Sequence, residues 1–222
     1  MKLVLHNYWR SSASHRVRIG LGLKQLPFDY VVVDLRAGGQ HTDAYRAKNP
    51  MAQVPTLEIT GDDGARVVLT QSLPILEYLD ERWPEPPMLP RDAYLRAKAR
   101  SLAEIVNAGI QPMQNMATLR RVKKLGGDDV AWAQLPIASG LAAFARLADE
   151  TAGEFCVGDT PTIADICLVP QLGAARRYQV ELGHGFERLL AIEARCLALP
   201  AFANAMPERQ IDAADPTGTV TP

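Results

Sequence analysis

Arg10-Ser11-Ser12-Ala13-Ser14-His15-Arg16-Val17-Arg18-Ile19 decides how this chain begins to fold. Before it runs Leu3-Val4-Leu5, an apolar strand-like stretch; after it Val17, Ile19, Leu21 and Leu23 form an amphipathic run. The serines therefore stand where a strand ends and a helix begins. A helix N-terminus carries unpaired N–H groups and partial positive charge, so it stabilises an anion placed there. Serine hydroxyls at the same spot can donate to that anion. No cysteine lies nearby, so a thiolate in this position has to arrive on a cofactor.

Outward from this turn the first third of the chain alternates. Leu3 to Asn7 reads as a strand, Ser14 to Lys24 as a helix and Tyr30 to Asp34 as a β-branched strand. Arg36 to Gln40, with Gly38-Gly39, reads as a loop. Val54 to Ile59 and Arg66 to Leu69 read as two further strands joined by Gly61-Asp62-Asp63-Gly64. Ser72 to Trp83 is helical in pattern, with Ser72 as N-cap. The order β-α-β, connection, β-β-α is a thioredoxin-like layout within the α+β class.

Trp83 to Pro90 is proline-rich and marks a linker. The expected organisation is a thioredoxin-like domain over 1–84, a linker over 85–90 and an all-helical domain over 91–222. In the latter, Tyr94 to Lys124 has helical spacing with Pro112 as a kink. Trp132 to Ala148, Ile163 to Gln179 and Phe186 to Leu197 supply further helices, and 213–222 is expected to fray. Thr162-Ile163-Ala164-Asp165 is a capping box, which makes Asp165 a folding residue and not a catalytic base.

Bulk properties narrow the partners. A formal net charge of −1 over 222 residues gives no overall pull toward nucleic acid or an anionic membrane. No apolar run approaches the ~20 residues that span a bilayer, and the apolar start at Met1 breaks off too soon for a signal-peptide core. Three cysteines without close spacing argue against a disulfide framework and for a reducing, cytoplasmic setting. His6, His15, His41 and His184 lack metal-ligand spacing, so no metal is expected.

Three other places are candidates for chemistry. Val54-Pro55 is either a cis peptide that exposes the Val54 backbone to a peptide-like ligand or an ordinary trans proline at a strand start. Gln71-Ser72 is either a plain cap or a carboxylate site at a helix start, and both can hold. Arg10 sits directly beside the serine turn, whereas Arg176-Arg177 and Arg120-Arg121 read as solvated helix faces.

Ser11-Ser12-x-x-x-Arg16-Val17-Arg18-Ile19, Asn49-Pro50-Met51-Ala52-Gln53-Val54-Pro55-Thr56-Leu57 and Gln71-Ser72-Leu73-x-Ile75-Leu76-Glu77-Tyr78-Leu79 resemble the zeta class of glutathione transferases. So do Ala108 to Asn115, Cys156 to Asp159 and Ala164 to Gln171, and the resemblance spans nearly the whole chain in order. It implies glutathione transferase architecture, glutathione as cofactor, a homodimer and a small diketo dicarboxylic acid as substrate, isomerised from maleyl to fumaryl. By resemblance Ser11 is the thiol-activating serine, with Ser12 beside it. Gln53, Val54, Gln71 and Ser72 contact glutathione, Gln111 and Asn115 lie near the site, and Arg10 and Arg177 hold substrate carboxylates. The family's Ser-Ser-Cys turn has Ala13 in its third place here. Maleylacetoacetate and maleylpyruvate both stay open as substrates, beside a general transferase for electrophiles and a non-catalytic module.

Overall fold

β1 (Lys2–Asn7) is an inner strand, and its Leu3 and Leu5 are buried where the alternation puts them. In this computed structural model residues 1–213 are described; the fraying expected of 213–222 lies, past its first residue, outside them. A crossover through α1 (Ser12–Leu23) brings β2 (Asp29–Val32) parallel to β1. A short 3-10 turn over Gly39–His41 and α2 (Asp43–Arg46) follow where a loop was expected; elements this short carry no periodicity to read. β3 (Thr56–Thr60) pairs antiparallel with β1, and β4 (Arg66–Thr70) antiparallel with β3. The sheet order is β2-β1-β3-β4, and α3 (Ser72–Arg82) closes the thioredoxin-like arrangement.

The helical part begins with α4 (Ala93–Glu104), which runs into a π-helical segment, Ile105–Ile110, and then α5 (Gln111–Gln114) and α6 (Met116–Lys124). The single helix expected over Tyr94 to Lys124 is thus broken twice. A π segment precedes Gln111, and Asn115 adopts an extended conformation (ψ 140°) before capping α6. α7 (Asp129–Ala148) holds Pro136 in its interior and starts three residues before Trp132, because the Asp128 carboxylate accepts from the N–H groups of Val130 and Ala131. At 20 residues and a mean hydropathy of 1.2, α7 is long and apolar enough to cross a membrane, which corrects the expectation that no such run exists. Its buried stripe of Ala133, Ile137, Leu141, Phe144 and Ala148 is nevertheless that of a helix packed in a core. α8 (Ile163–Arg177) opens on the expected capping box, and α9 (Glu187–Ala198) follows it.

Two compact units result: Met1–Pro87 together with 199–213, and Met88–Ala198. Residues 199–213 therefore group with the sheet, although the sequence reading assigned them to the helical domain. The cause is α10 (Pro200–Ala205), which packs on α1. A Cβ on Gly22 would stand 3.1 Å from the Ala201 backbone, so a larger residue here would push α10 outward by a few tenths of an ångström. α1 is consequently covered on more than one face, and Ser14 through Leu21 are all buried.

Glu58 on β3 is buried beneath two cations, Lys48 and Arg66, and the imidazole of His6. It accepts hydrogen bonds from His6 Nε2, from Lys48 Nζ (2.5 Å) and from Arg66 Nη2. Burial pushes its carboxyl up, but the bonds from Lys48, His6 and Arg66 outweigh this and hold it down at about 2. Burial also lowers the His6 pKa, against the opposing pull of Glu58. Both groups are thus stronger acids folded than unfolded, so lowering the pH loads protons preferentially onto the unfolded chain. Stability is expected to fall first as His6 protonates below about pH 6.5, then from about pH 4.5 toward 2 as Glu58 does. In acid denaturation followed by circular dichroism, Glu58→Gln is expected to flatten the lower of these two limbs.

Candidate active site

The turn between β1 and α1 is built from hydrogen bonds the sequence does not announce. The Ser11 N–H donates to Tyr8 O at 3.1 Å, closing a turn over Tyr8, Trp9, Arg10 and Ser11. Ser11 is the N-cap of α1, and its Oγ accepts from Ser14 N at 3.2 Å. Capping uses a lone pair, so the hydroxyl proton stays available to donate. Ser12 is the first helical residue. Helix α1 therefore starts two residues earlier than the expected Ser14, since it is Ser11 that caps it.

Arg18 supports this turn from below. Its guanidinium, 3% exposed, donates to Asn7 Oδ1 (3.0 Å) and Trp9 O (3.0 Å), and its Nε to Ala205 O (3.1 Å). Burial lowers its pKa to about 10, with Tyr30, Asp212 and Glu208 drawing it back up. It stays charged at neutral pH.

β-sheet register gathers the other first-unit candidates at the same end. His6 pairs with Thr56, and Thr56 with Thr70, so the close of β1, the start of β3 and the close of β4 are side by side. Val54 precedes the ladder by two residues, and the Val54-Pro55 peptide is cis. Gln53 O is pinned by Tyr45 Oη and Asn49 Nδ2, each donating at 2.7 Å. Gln71 stands at the start of α3 with φ 69° and ψ 128°, a conformation that side-chain-bearing residues rarely adopt. It is the N-cap in place of the expected Ser72, and its side chain makes no cap hydrogen bond. The first N–H groups of α3 are thus left for another acceptor. Ser72 is buried and accepts at Oγ from Arg16 Nη1 at 3.1 Å, keeping its own proton to donate.

Arg16, fully buried, escaped the sequence reading as a site residue. A helix covered on one face would carry an arginine to solvent; only the packing of α1 under a second helix encloses it. Its charge adds to the positive end of α3, so the end of the sheet suits an anion twice over. A second hydroxyl, Ser14 Oγ, is buried with no partner among the described residues.

Within the helical unit, Gln111 opens α5 directly after the π segment. Asn115 is committed in part to folding, since its Oδ1 accepts from Ala117 N at 3.0 Å as the cap of α6. Between these two, Gln114 and the buried Gln171 of α8 exchange amide hydrogen bonds (2.9 and 3.2 Å) and fix the corner that carries both. Arg176 forks onto Glu193 of α9, with its Nη1 at 2.6 Å, and is thereby spoken for. Arg177, exposed at the end of α8, projects about 100° further round the helix. Cys156, Cys167 and Cys196 are all buried and outside any disulfide, and burial pushes the Cys156 and Cys196 thiols well up, which removes these two as nucleophiles.

An open helix start backed by a buried arginine and a hydroxyl at a second helix start suit an anionic ligand. Residues 10–82 match the glutathione S-transferase N-terminal domain and residues 120–204 the C-terminal domain. The chain belongs to the glutathione S-transferase family. Within it, the likeness is to the zeta class and its maleyl isomerases. Maleylacetoacetate isomerase of Dictyostelium discoideum is 39% identical, over 96% of this chain and 96% of that one. Maleylpyruvate isomerase of a Ralstonia species is 42% identical, over 95% of this chain and 99% of that one. The crystal structure of maleylacetoacetate isomerase from Anaeromyxobacter dehalogenans, with glutathione bound in its active site, superposes with a TM-score of 0.88 at 48% identity, covering 96% of this chain and 98% of that one.

The backbone of Gln71 offers a test of this reading. Relieving a positive-φ conformation is worth about 1 kcal/mol or more. Gln71→Gly is expected to raise the melting temperature while weakening glutathione binding by calorimetry, because a strained residue retained at a helix start is retained for the ligand.

Proposed function

We propose that the protein is a glutathione-dependent cis–trans isomerase that converts a maleyl diketo acid into its fumaryl isomer. The observation that carries this is Ser11, an N-cap whose proton is free, at the end of the sheet shared with Val54 and Ser72. Glutathione, when bound, would supply a thiolate nucleophile able to make the cis double bond reversibly single and so permit its rotation. The chain's own residues bind, orient and hold charge. Ser11 donates to the thiolate and, with the first N–H groups of α1 and the neighbouring Ser12, lowers the thiol pKa from its free value of about 8.5. Val54 offers its backbone to the peptide part of the cofactor, with Gln53 beside it. The α3 start, through Gln71 and Ser72 over the buried Arg16, takes a carboxylate. Arg10 and Arg177 grip the acid substrate and hold the negative charge that develops on its carbonyl oxygen. Gln111 and Asn115 are assigned to the cofactor side from the second unit.

No protein nucleophile is needed, which agrees with Ala13 in the serine turn and with the burial of all three cysteines. Maleylacetoacetate and maleylpyruvate present the same double bond between the same kinds of carbonyl and carboxylate, and this chemistry serves either. The three buried, reduced cysteines suit a cytoplasmic enzyme, and a homodimer is the assembly inferred from the family resemblance.

Ser11→Ala is expected to raise the pKa of bound glutathione and to cut turnover strongly with the fold intact. An unchanged pH–rate profile would remove Ser11 from this role. Arg177→Lys keeps the charge and loses the two-pronged grip on a carboxylate. With charge-assisted bonds worth ~1.5–3 kcal/mol, isomerase efficiency is expected to drop about tenfold or more. Conjugation of a neutral electrophile should survive that change; if isomerisation survives equally, the protein is better read as a general transferase.

A further inference from the structure

The β1–α1 turn is held at both ends of one residue, Trp9, and one of the two holders comes from the far end of the chain. Trp9 O accepts from Arg18 Nη2 at 3.0 Å, while Trp9 N donates to Asp212 Oδ2 at 3.0 Å. The second carboxylate oxygen of Asp212 accepts from the hydroxyl of Tyr30 on β2. Asp212 lies 203 residues from Trp9 and is carried there by α10, whose last carbonyl, Ala205 O, is taken by Arg18 Nε. Arg18, Tyr30 and Glu208 are the other ionisable groups around this cluster. Two residues past Trp9 stands Ser11, whose N–H closes the turn onto Tyr8.

We infer that Asp212 is a positioning residue for thiol activation: with Arg18 it clamps the Trp9 peptide units and so fixes where the Ser11 hydroxyl is presented. The inference rests on the reading of Ser11 as thiol donor. An unclamped turn can rotate while α1 stays folded, since the sheet and α3 also hold that helix. A displacement of the donor by a fraction of an ångström lengthens its bond to the thiolate, and hydrogen-bond strength falls steeply with distance and angle. A carboxylate is suited to the task because one oxygen can take an N–H while the other takes a hydroxyl.

The test is a spectroscopic titration of the glutathione thiolate bound to the full-length protein, in wild type and in Asp212→Ala, Asp212→Asn and Ser11→Ala. Asp212→Ala is expected to raise the thiol pKa by about one unit, a tenfold loss of thiolate at pH values below the pKa. Asp212→Asn, which keeps an acceptor for Trp9 N–H, is expected to recover most of that shift. Melting temperatures measured alongside separate positioning from bracing. A lower melting temperature with an unmoved thiol pKa in Asp212→Ala overturns the inference, as does an Asn variant as impaired as the Ala variant. If Ser11→Ala moves the thiol pKa and Asp212→Ala does not, the clamp alone falls. If Ser11→Ala does not move it, the serine assignment falls and the clamp's catalytic role falls with it.

Discussion

The buried guanidinium of Arg18 is the interaction on which the rest of the first unit depends. Taking a charge out of water costs several kcal/mol, so an enclosed arginine persists only where its donors are satisfied. Here it is bonded to the Asn7 side chain, to Trp9 O and to Ala205 O, and each bond to a charged donor is worth ~1.5–3 kcal/mol. One side chain thus joins the end of a strand, the turn after it and the terminal helix. Removing it would leave buried carbonyls unpaired in three separate elements, a larger penalty than the loss of any single bond. The cost of the buried charge is in effect spent on geometry, since it fixes the backbone of a four-residue turn whose Tyr8 and Trp9 side chains pack with Val33, Tyr45 and Val54.

The same end of the sheet concentrates positive potential. Two helices start there, α1 and α3, and Arg16 lies buried with its Nη1 on Ser72. A helix start contributes about half a positive charge, screened by water only where it is exposed. Gathered at one end of the sheet these contributions reinforce one another, so an anionic cofactor is the chemistry they complement. The arrangement also explains why Ser11 can serve the fold and the reaction together. Its lone pair caps α1 and leaves its proton available to donate, so neither role subtracts from the other.

The sequence reading succeeded where structure is local. Strand alternation in Leu3 and Leu5, the Thr162 capping box and the strand-to-helix position of Ser11 all depend on neighbours a few residues away. It failed where the cause lies far along the chain. Arg18 is buried where α10, about 180 residues on, brings Ala205 O to its Nε, and Arg16 is buried where it meets Ser72 of α3. Residues 199–213 looked like the end of a helical domain for the same reason. The broken helix around Gln111 was traced to Pro112, whereas a π segment and the extended Asn115 are what break it. The N-cap of α3 was placed on Ser72 by side-chain preference, while a positive-φ Gln71 took that position. Strained backbone of this kind is an exception to propensity that side-chain preference does not foresee. Of the candidate residues, those of the first unit lie at one end of the sheet, where the strand register gathers them. Arg177 gained definition only indirectly, through the commitment of Arg176 to Glu193.

The most direct measurement counts turnovers against cofactor. A maleyl diketo acid is mixed with the protein and a small, known quantity of glutathione, and both the fumaryl product and free thiol are quantified over time. An isomerase that uses the thiolate as an add-and-leave catalyst is expected to form many equivalents of product per glutathione, with the thiol fully recovered and no product when glutathione is omitted. Product capped at one equivalent with the thiol consumed, or isomerisation that proceeds without glutathione, would contradict it.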